Sequence, residues 1–379
     1  MVIRSSLWAA ATASVLLAVT AAHAGTPALD PHIGYWVSFD VPTATYTQGI
    51  AINDRGQITG LWQDQNGTSH GFLREADGKI VTFDPPGMGV GSTGAALGTY
   101  PTGINNRGDI VGYYSDKTGG QHGFLRSADS QYTVIDDPNA NTSPISTAVY
   151  AISDTGVIVG GFTDTGDVPV HGFLREADGS FITVDNPGAE GGSTCYGINI
   201  EREVVCQALV LRDNFFVGRG FTRYRDGALI TFNDAQAGPG GTFVGCNGSC
   251  GYPSFQILNG GRQVTGYYLD ANGVFHGYLR HANGSFTDIT VPGTSSGPGT
   301  VPASVNSLGT VVGSAYPNEL TLGDAFIRFA DGTLALFDAP ITGQQGTNAL
   351  AVNSSNEVTG LWTDANFVGH GFLAVALRW

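Results

Sequence analysis

Basic residues are scarce in this chain. Among 379 residues there are 17 Lys and Arg against 32 Asp and Glu, a formal net charge of −15, and the only lysines are Lys79 and Lys117. No basic stripe of the kind that holds nucleic acid is present, so nucleic acid is not an expected partner. Long apolar runs are missing after the first two dozen residues, so no membrane span is expected. Low-complexity tracts are missing despite 56 glycines. The glycines fall at turns and at fixed intervals, which reads as backbone geometry rather than disorder. The four cysteines all lie between Cys195 and Cys250. Their spacing lacks the short paired motif at both ends that a structural zinc site uses. No metal and no cofactor are expected.

The amino terminus has a leader pattern. Arg4 supplies the positive region, Leu7 to Thr20 the small and apolar region, and Ala22-His23-Ala24 a cleavage site before Gly25. Residues 1–24 therefore read as a signal peptide, and residues 25–379 as a single secreted domain, extracellular or periplasmic. Losing Arg4 takes the net charge to −16. In an exported chain an even cysteine count implies disulfides. Cys195–Cys206 is expected because the two residues lie symmetrically across a hairpin centred near Ile200 and Glu201. Cys246–Cys250 would clip a short loop.

What the chain does have is one pattern written seven times. One copy runs Thr102-Gly-Ile-Asn-Asn-Arg-Gly-Asp-Ile-Val-Gly-Tyr-Tyr114, then His122-Gly-Phe-Leu-Arg126, then Tyr132-Thr-Val-Ile-Asp136. Other copies start near Gly49, Ala151, Gly197, Ile257, Ser304 and Ala351. Turn signals cut each copy into four short strands, here a to d. Asp-Gly and Asn-Gly between apolar runs, as at Asp77-Gly78 and Asn283-Gly284, are hairpin signals. His70 and His370 are 300 residues and six steps apart, a period of 50. Four antiparallel strands at this period describe a propeller blade. The seventh copy lacks strand d, and a matching segment, Tyr35-Trp-Val-Ser-Phe-Asp-Val-Pro42, precedes the first. The predicted fold is all-β, a seven-bladed propeller whose last blade is completed by residues 35–41. Such closure leaves no free sheet edge, and a monomer is expected.

Residues that recur once per blade are spread around the ring, whereas a catalytic constellation needs different groups at one point. We therefore assign the recurrent His70, His122, His171, His276 and His370 to the scaffold. The strand-d aspartates Asp40, Asp84, Asp136, Asp185 and Asp338 are their candidate partners. Arg219 and Asp324 occupy the histidine position in the other two copies. Asn53, Asn105, Asn199, Asn259, Asn306 and Asn353 close strand a and are likewise structural. The aromatics Trp62, Tyr114, Phe162, Tyr268 and Trp362 are expected to fill the wedge between blades.

Three motif-like stretches fail on context. Asp64-Gln-Asn-Gly67 lacks the further ligands of a calcium loop. Gly89 to Gly94 matches a dinucleotide fingerprint without its helix. Gly293 to Gly297 matches a nucleophile elbow without the strand-to-helix turn. The a–b and c–d turns share one face and are uniform. The b–c turns and d-to-a crossings share the other and vary, notably at 85–100, 138–149, 235–252 and 292–302. Variable loops on a rigid scaffold carry function, so a ligand site is expected there. The candidates are Arg219, Arg223, Tyr252 and Tyr100, chosen by irregularity.

The combination Gly-Ile-Asn-Asn-Arg-Gly-Asp-Ile-Val-Gly (103–112) and His-Gly-Phe-Leu (122–125) resembles the HAF-repeat family of bacterial extracellular repeat proteins. Asp324-Ala-Phe-Ile327 carries the alanine variant of that signature. Ser153 departs from the turn Asn, and the fourth copy matches poorly. The resemblance implies an exported protein and carries no activity or catalytic residues. Two readings follow. One is a secreted, non-catalytic scaffold that binds a protein or glycan through its variable loops. The other is a carbohydrate-active enzyme, a polysaccharide lyase or hydrolase, with its site at the channel mouth. Convergence of groups from different blades in one pocket would mark the enzyme.

Overall fold

In the computed structural model, residues 31–89, 98–141, 146–164, 170–245, 256–294, 299–317, 323–341 and 343–377 are described. The leader 1–24 lies outside the described residues. Among the described residues every regular element is a strand, and the strands form seven four-stranded antiparallel sheets. Strand a of blades 1 to 7 is Tyr46–Ile52, Thr99–Ile104, Thr147–Ile152, Ser193–Ile198, Thr242–Val244, Gly299–Val305 and Gly346–Val352. In blade 1 strands b, c and d follow as Ile58–Gln63, Ser69–Arg74 and Ile80–Phe83. The fold is a seven-bladed propeller.

The ring is closed by the amino-terminal strand. Ile33–Phe39 pairs antiparallel with Gly369–Ala376 and becomes strand d of blade 7. Trp36 stacks on Phe372 with ring centroids 4.4 Å apart. Leu377 N–H donates to the His32 carbonyl at 2.6 Å. Buried residues of adjacent blades pack into shared clusters, such as Phe39, Val41, Ile52, Ile58 and Phe72 between blades 7 and 1.

Strand a carries a one-residue bulge in most blades, as between Gly49 and Ala51. Just before it, strands a and b approach closely. A Cβ at Gly60 would run into the Gln48 carbonyl oxygen. Blade 4 has no glycine at this pair. Its residues are Cys195 and Cys206, directly opposed, fully buried and disulfide-bonded. The bond replaces a close glycine contact with a covalent one.

Blade 5 departs from the sequence-based division. Its strand a begins at Thr242, well before Ile257, and Val244 pairs with Gly266. The chain leaves after Gly245 and returns to the same ladder at Ile257, whose carbonyl accepts Thr265 N–H at 3.0 Å. The segment read as a crossing, 235–252, is thus a shorter crossing followed by an insertion inside strand a. In other blades one bulged residue separates the same two halves of strand a. Cys246, Cys250 and Tyr252 lie outside the described residues.

Candidate functional site

Each end of strand a is tied to a neighbouring blade. At the a–b turns, Asn Oδ1 accepts the backbone N–H groups two and four residues on, as Asn306 does from Leu308 and Thr310 at 3.0 and 2.9 Å. This folds the turn, and the third turn residue takes positive φ. Glycine fills that position in four blades, but Arg202, Arg262 and Asn356 fill it in blades 4, 5 and 7 at φ 62°, 62° and 58°. The two arginines reach the preceding blade, Arg202 to Glu176 and Arg262 to the buried Glu203 at 2.9 Å.

With Oδ1 used locally, Nδ2 points along the ring. Asn53 donates to the Asn105 carbonyl at 2.9 Å, and Asn105 to Ser153 at 3.2 Å. Asn199 donates to Asn259 at 3.3 Å, Asn259 to Asn306 at 2.8 Å, and Asn306 to Asn353 at 2.8 Å. Asn353 returns to Asn53 at 3.0 Å. The circle breaks at Ser153, whose Oγ pairs instead with Thr155 Oγ1 at 2.9 Å. A cavity of about 190 Å³ sits inside this circle at the mouth of the channel. Gln256 crosses the channel beside it and donates from Nε2 to the Ile52 carbonyl at 2.8 Å. The sequence placed a ligand site at the opposite face. The cavity lies here because the amides turn along the ring and leave the axis open.

The other end of strand a has a tie that the sequence comparison missed. Thr47, Thr147, Ser193, Thr242, Thr300 and Thr347 each accept, through the hydroxyl, a backbone N–H just after strand d of the preceding blade, at 2.8–3.2 Å. Thr99 instead donates to Asp84 Oδ1 at 2.6 Å. The signal was a hydroxyl residue two positions before the strand-a residue that faces the strand-b glycine, as Thr47 stands before Gly49 opposite Gly60. It lay hidden at the end of loops of unequal length.

The histidines sit in a clamp at the crossing face. His70 Nδ1 lies 2.7 Å from Asp84, His122 Nδ1 3.0 Å from Asp136, His171 Nδ1 2.6 Å from Asp185, and His370 Nδ1 2.9 Å from Asp40. On the far side Nε2 faces the b–c turn aspartate, as at His122 and Asp116, 3.4 Å apart. Among the described residues, His276 has this second partner alone, Asp270 at 3.4 Å. Each ring also stacks on the strand-b aromatic, with centroids 4.6 Å apart for Trp62 and His70 and 4.4 Å for Trp362 and His370. These aromatics thus hold the histidines as well as filling space. Burial opposes ionisation of Asp116, but hydrogen bonds from Thr118, Gly120 and His122 outweigh it and hold the group down at about 2.

Blade 6 replaces the clamp with two carboxyls. Burial and the adjoining Asp324 charge push Asp338 up to about 7. A pair of like charges at one site keeps one proton, which explains the direction.

The irregular candidates do not share a place. Tyr100 stacks on Tyr113 at 5.1 Å within blade 2. Arg219 pairs in register with Ala208 at the histidine position. Arg223 lies at the c–d turn, where its equivalents Arg74 and Arg280 stand over Phe39 and Phe232 of preceding blades at 5.1 and 4.6 Å. It therefore sits on the face opposite the variable loops, because strand c runs away from the b–c turn.

Charge divides between the two ends. Among the described residues, the crossing face carries sixteen Asp and Glu side chains, and its lysines and arginines are Lys117, Arg212 and Arg219. The turn face carries thirteen acids and twelve bases, so its charge nearly cancels. The crossing face also projects. In blade 4 strands b and c, Val204–Arg212 and Phe215–Arg223, extend three residue pairs beyond those of blade 1.

Compared with known protein families and with curated proteins, the sequence matches none. Among solved structures, the backbone is similar to a streptogramin B lyase at 13% identity and TM-score 0.52, over 90% of this chain and 97% of that one. It is similar to an acylaminoacyl peptidase of Pyrococcus horikoshii at 9% identity and TM-score 0.55, over 89% of this chain and 53% of the peptidase. An ancestral GH74 enzyme matches at 9% identity and TM-score 0.51, over 90% of this chain and 51% of the enzyme. The chain spans about half the length of the last two. At these identities the likeness shows the propeller fold alone.

Proposed function

We propose that this protein is an exported, non-catalytic propeller that binds an extracellular protein or glycan through its crossing face. The observation that carries this reading is the contrast in how the side chains are used. The repeated His, Asn and Ser or Thr groups are engaged in ties within and between blades. The crossing face, by contrast, differs from copy to copy and carries nearly all the excess charge. Variable loops on a rigid ring are where recognition resides. The buried Cys195–Cys206 disulfide supports an oxidising compartment, in keeping with the leader pattern and the HAF-like repeat.

The enzyme reading is less well supported. Asp338 has a perturbed acidity, but its partner Asp324 comes from the same blade. A glycan array and a protein-binding screen, both run beside activity assays on the same sugars, test the proposal. We expect a ligand that is bound without turnover and lost when crossing-face loops are exchanged. Turnover of a bound polysaccharide would overturn the non-catalytic reading.

A further inference from the structure

The extended hairpin of blade 4 is a mostly apolar finger that itself carries Arg212 and Arg219, on a face that is otherwise acidic. Its three extra residue pairs carry strands b and c about 10 Å past the strand ends of blade 1, at roughly 3.4 Å per residue. Its tip is Asp213-Asn214, both at positive φ, a tight hairpin turn. Phe215 is 76% exposed, Phe216 47% and Leu211 45%. Glu190 accepts the Leu211 N–H at 3.0 Å and braces the upper part of the finger. Across the ring, Phe367 fills the positive-φ position of the blade 7 b–c turn, where blades 1, 2 and 5 use Gly67, Gly119 and Gly273. It is 63% exposed. An aromatic side chain is strained in that conformation and gains nothing from water contact. Phe215 and Phe367 thus keep most of their apolar surface in solvent.

We propose that the finger is the apolar anchor of a docking surface for a basic protein segment, with Phe215 entering an apolar pocket of the partner. The inference rests on the reading of the crossing face as the binding face and adds the partner's chemistry. Charge selects among occupants. Sixteen acids against Lys117, Arg212 and Arg219 repel anionic lipid, nucleic acid and a second copy presented face to face. A neutral glycan makes no use of that field, and Phe and Leu offer it no hydrogen bonds. A cationic segment with apolar side chains uses both, steered by the field and anchored by the finger. Buried aromatic anchors ringed by polar residues are where interface energy concentrates.

The test uses the full mature protein and three fluorescent peptides: an amphipathic lysine–leucine peptide, a lysine–serine peptide of equal charge, and a glutamate–leucine peptide. The lysine–leucine peptide is expected to bind most tightly and to weaken as salt rises. Phe215→Ser is expected to weaken it at least about tenfold, the scale of losing one anchor, with the melting temperature unchanged. Leu308→Ser, an exposed apolar residue of the turn face, is expected to leave binding unaltered. No binding of the lysine–leucine peptide at low salt overturns the inference. Equal binding of the lysine–serine peptide, or no effect of Phe215→Ser, also overturns it. If, in addition, a neutral glycan binds and is lost on exchange of crossing-face loops, the binding-face reading survives and only the basic partner falls. If neither ligand class binds, both fall.

Discussion

The two faces of the ring are built from the same seven copies, yet they solve different problems. At the turn face the copies agree. The Asn amides link blade to blade, and acids and bases nearly cancel. At the crossing face the copies differ in loop length, raise one finger and keep an excess of carboxylates around the histidines. The difference teaches where stability and where recognition are placed in a repeat ring. Positions that meet an identical neighbour are constrained, because a change in one blade breaks a tie to the next, as Ser153 breaks the circle. Positions that face solvent are free of that coupling.

The largest effect should come from breaking the turn-face circle. Asn306→Ala removes the acceptor of two backbone N–H groups and the donor to the Asn353 carbonyl, two of the three bonds being buried. A loss of about 2–3 kcal/mol is expected, since buried groups left unpaired cost most of their desolvation. Denaturant unfolding measures it. A loss below about 0.5 kcal/mol would show that the circle is incidental.

The crossing face should instead answer to pH. Asp338 is raised above its unfolded value by burial and by Asp324. Its contribution is therefore fully present below the unfolded value and is lost as pH rises through about 7. The melting temperature should fall between about pH 5 and about pH 8, and Asp338→Asn should flatten that part of the profile. Asp324→His would install the clamp of the other blades and should reduce the same dependence. A flat profile in the wild type would remove blade 6 from the account.

A smaller gain is expected where the turn face is incomplete. Ser153→Asn supplies the missing amide toward the Asn199 carbonyl and should stabilise by about 1 kcal/mol, the net worth of one such bond. The smallest change should come at the crossing face. Phe367→Asn keeps positive φ in a residue that tolerates it, and should add up to about 1 kcal/mol in equilibrium unfolding. If Phe367→Asn destabilises instead, the aromatic side chain serves the fold, and the contrast between the faces is weaker than drawn.

The ring and its closing strand were legible because Tyr35–Pro42 matches the segment missing after His370-Gly-Phe-Leu373. The Cys195–Cys206 link was legible because both residues are equally distant from the blade 4 turn. Other features were hidden for physical reasons. The strand-a hydroxyls escaped notice because the loops before them differ in length. Strand a of blade 5 was misplaced because its two halves, Val244 and Ile257, are neighbours in the ladder but not in the chain. Arg223 appeared to share a face with Arg219, four residues away, yet it lies at the far end of the same strand.

The amino-acid sequence by itself determined the unit. Turn residues, strand pattern and period specify a four-stranded blade, because hairpin turns and alternating side chains are local matters. Only the tertiary structure decided what the copies do to one another. Asn353 meets Asn53 across 300 residues, the carboxylates gather at one end, and three extra residue pairs become a finger above it. These are consequences of closing the ring, since closure gives each end of a blade a fixed neighbour and direction.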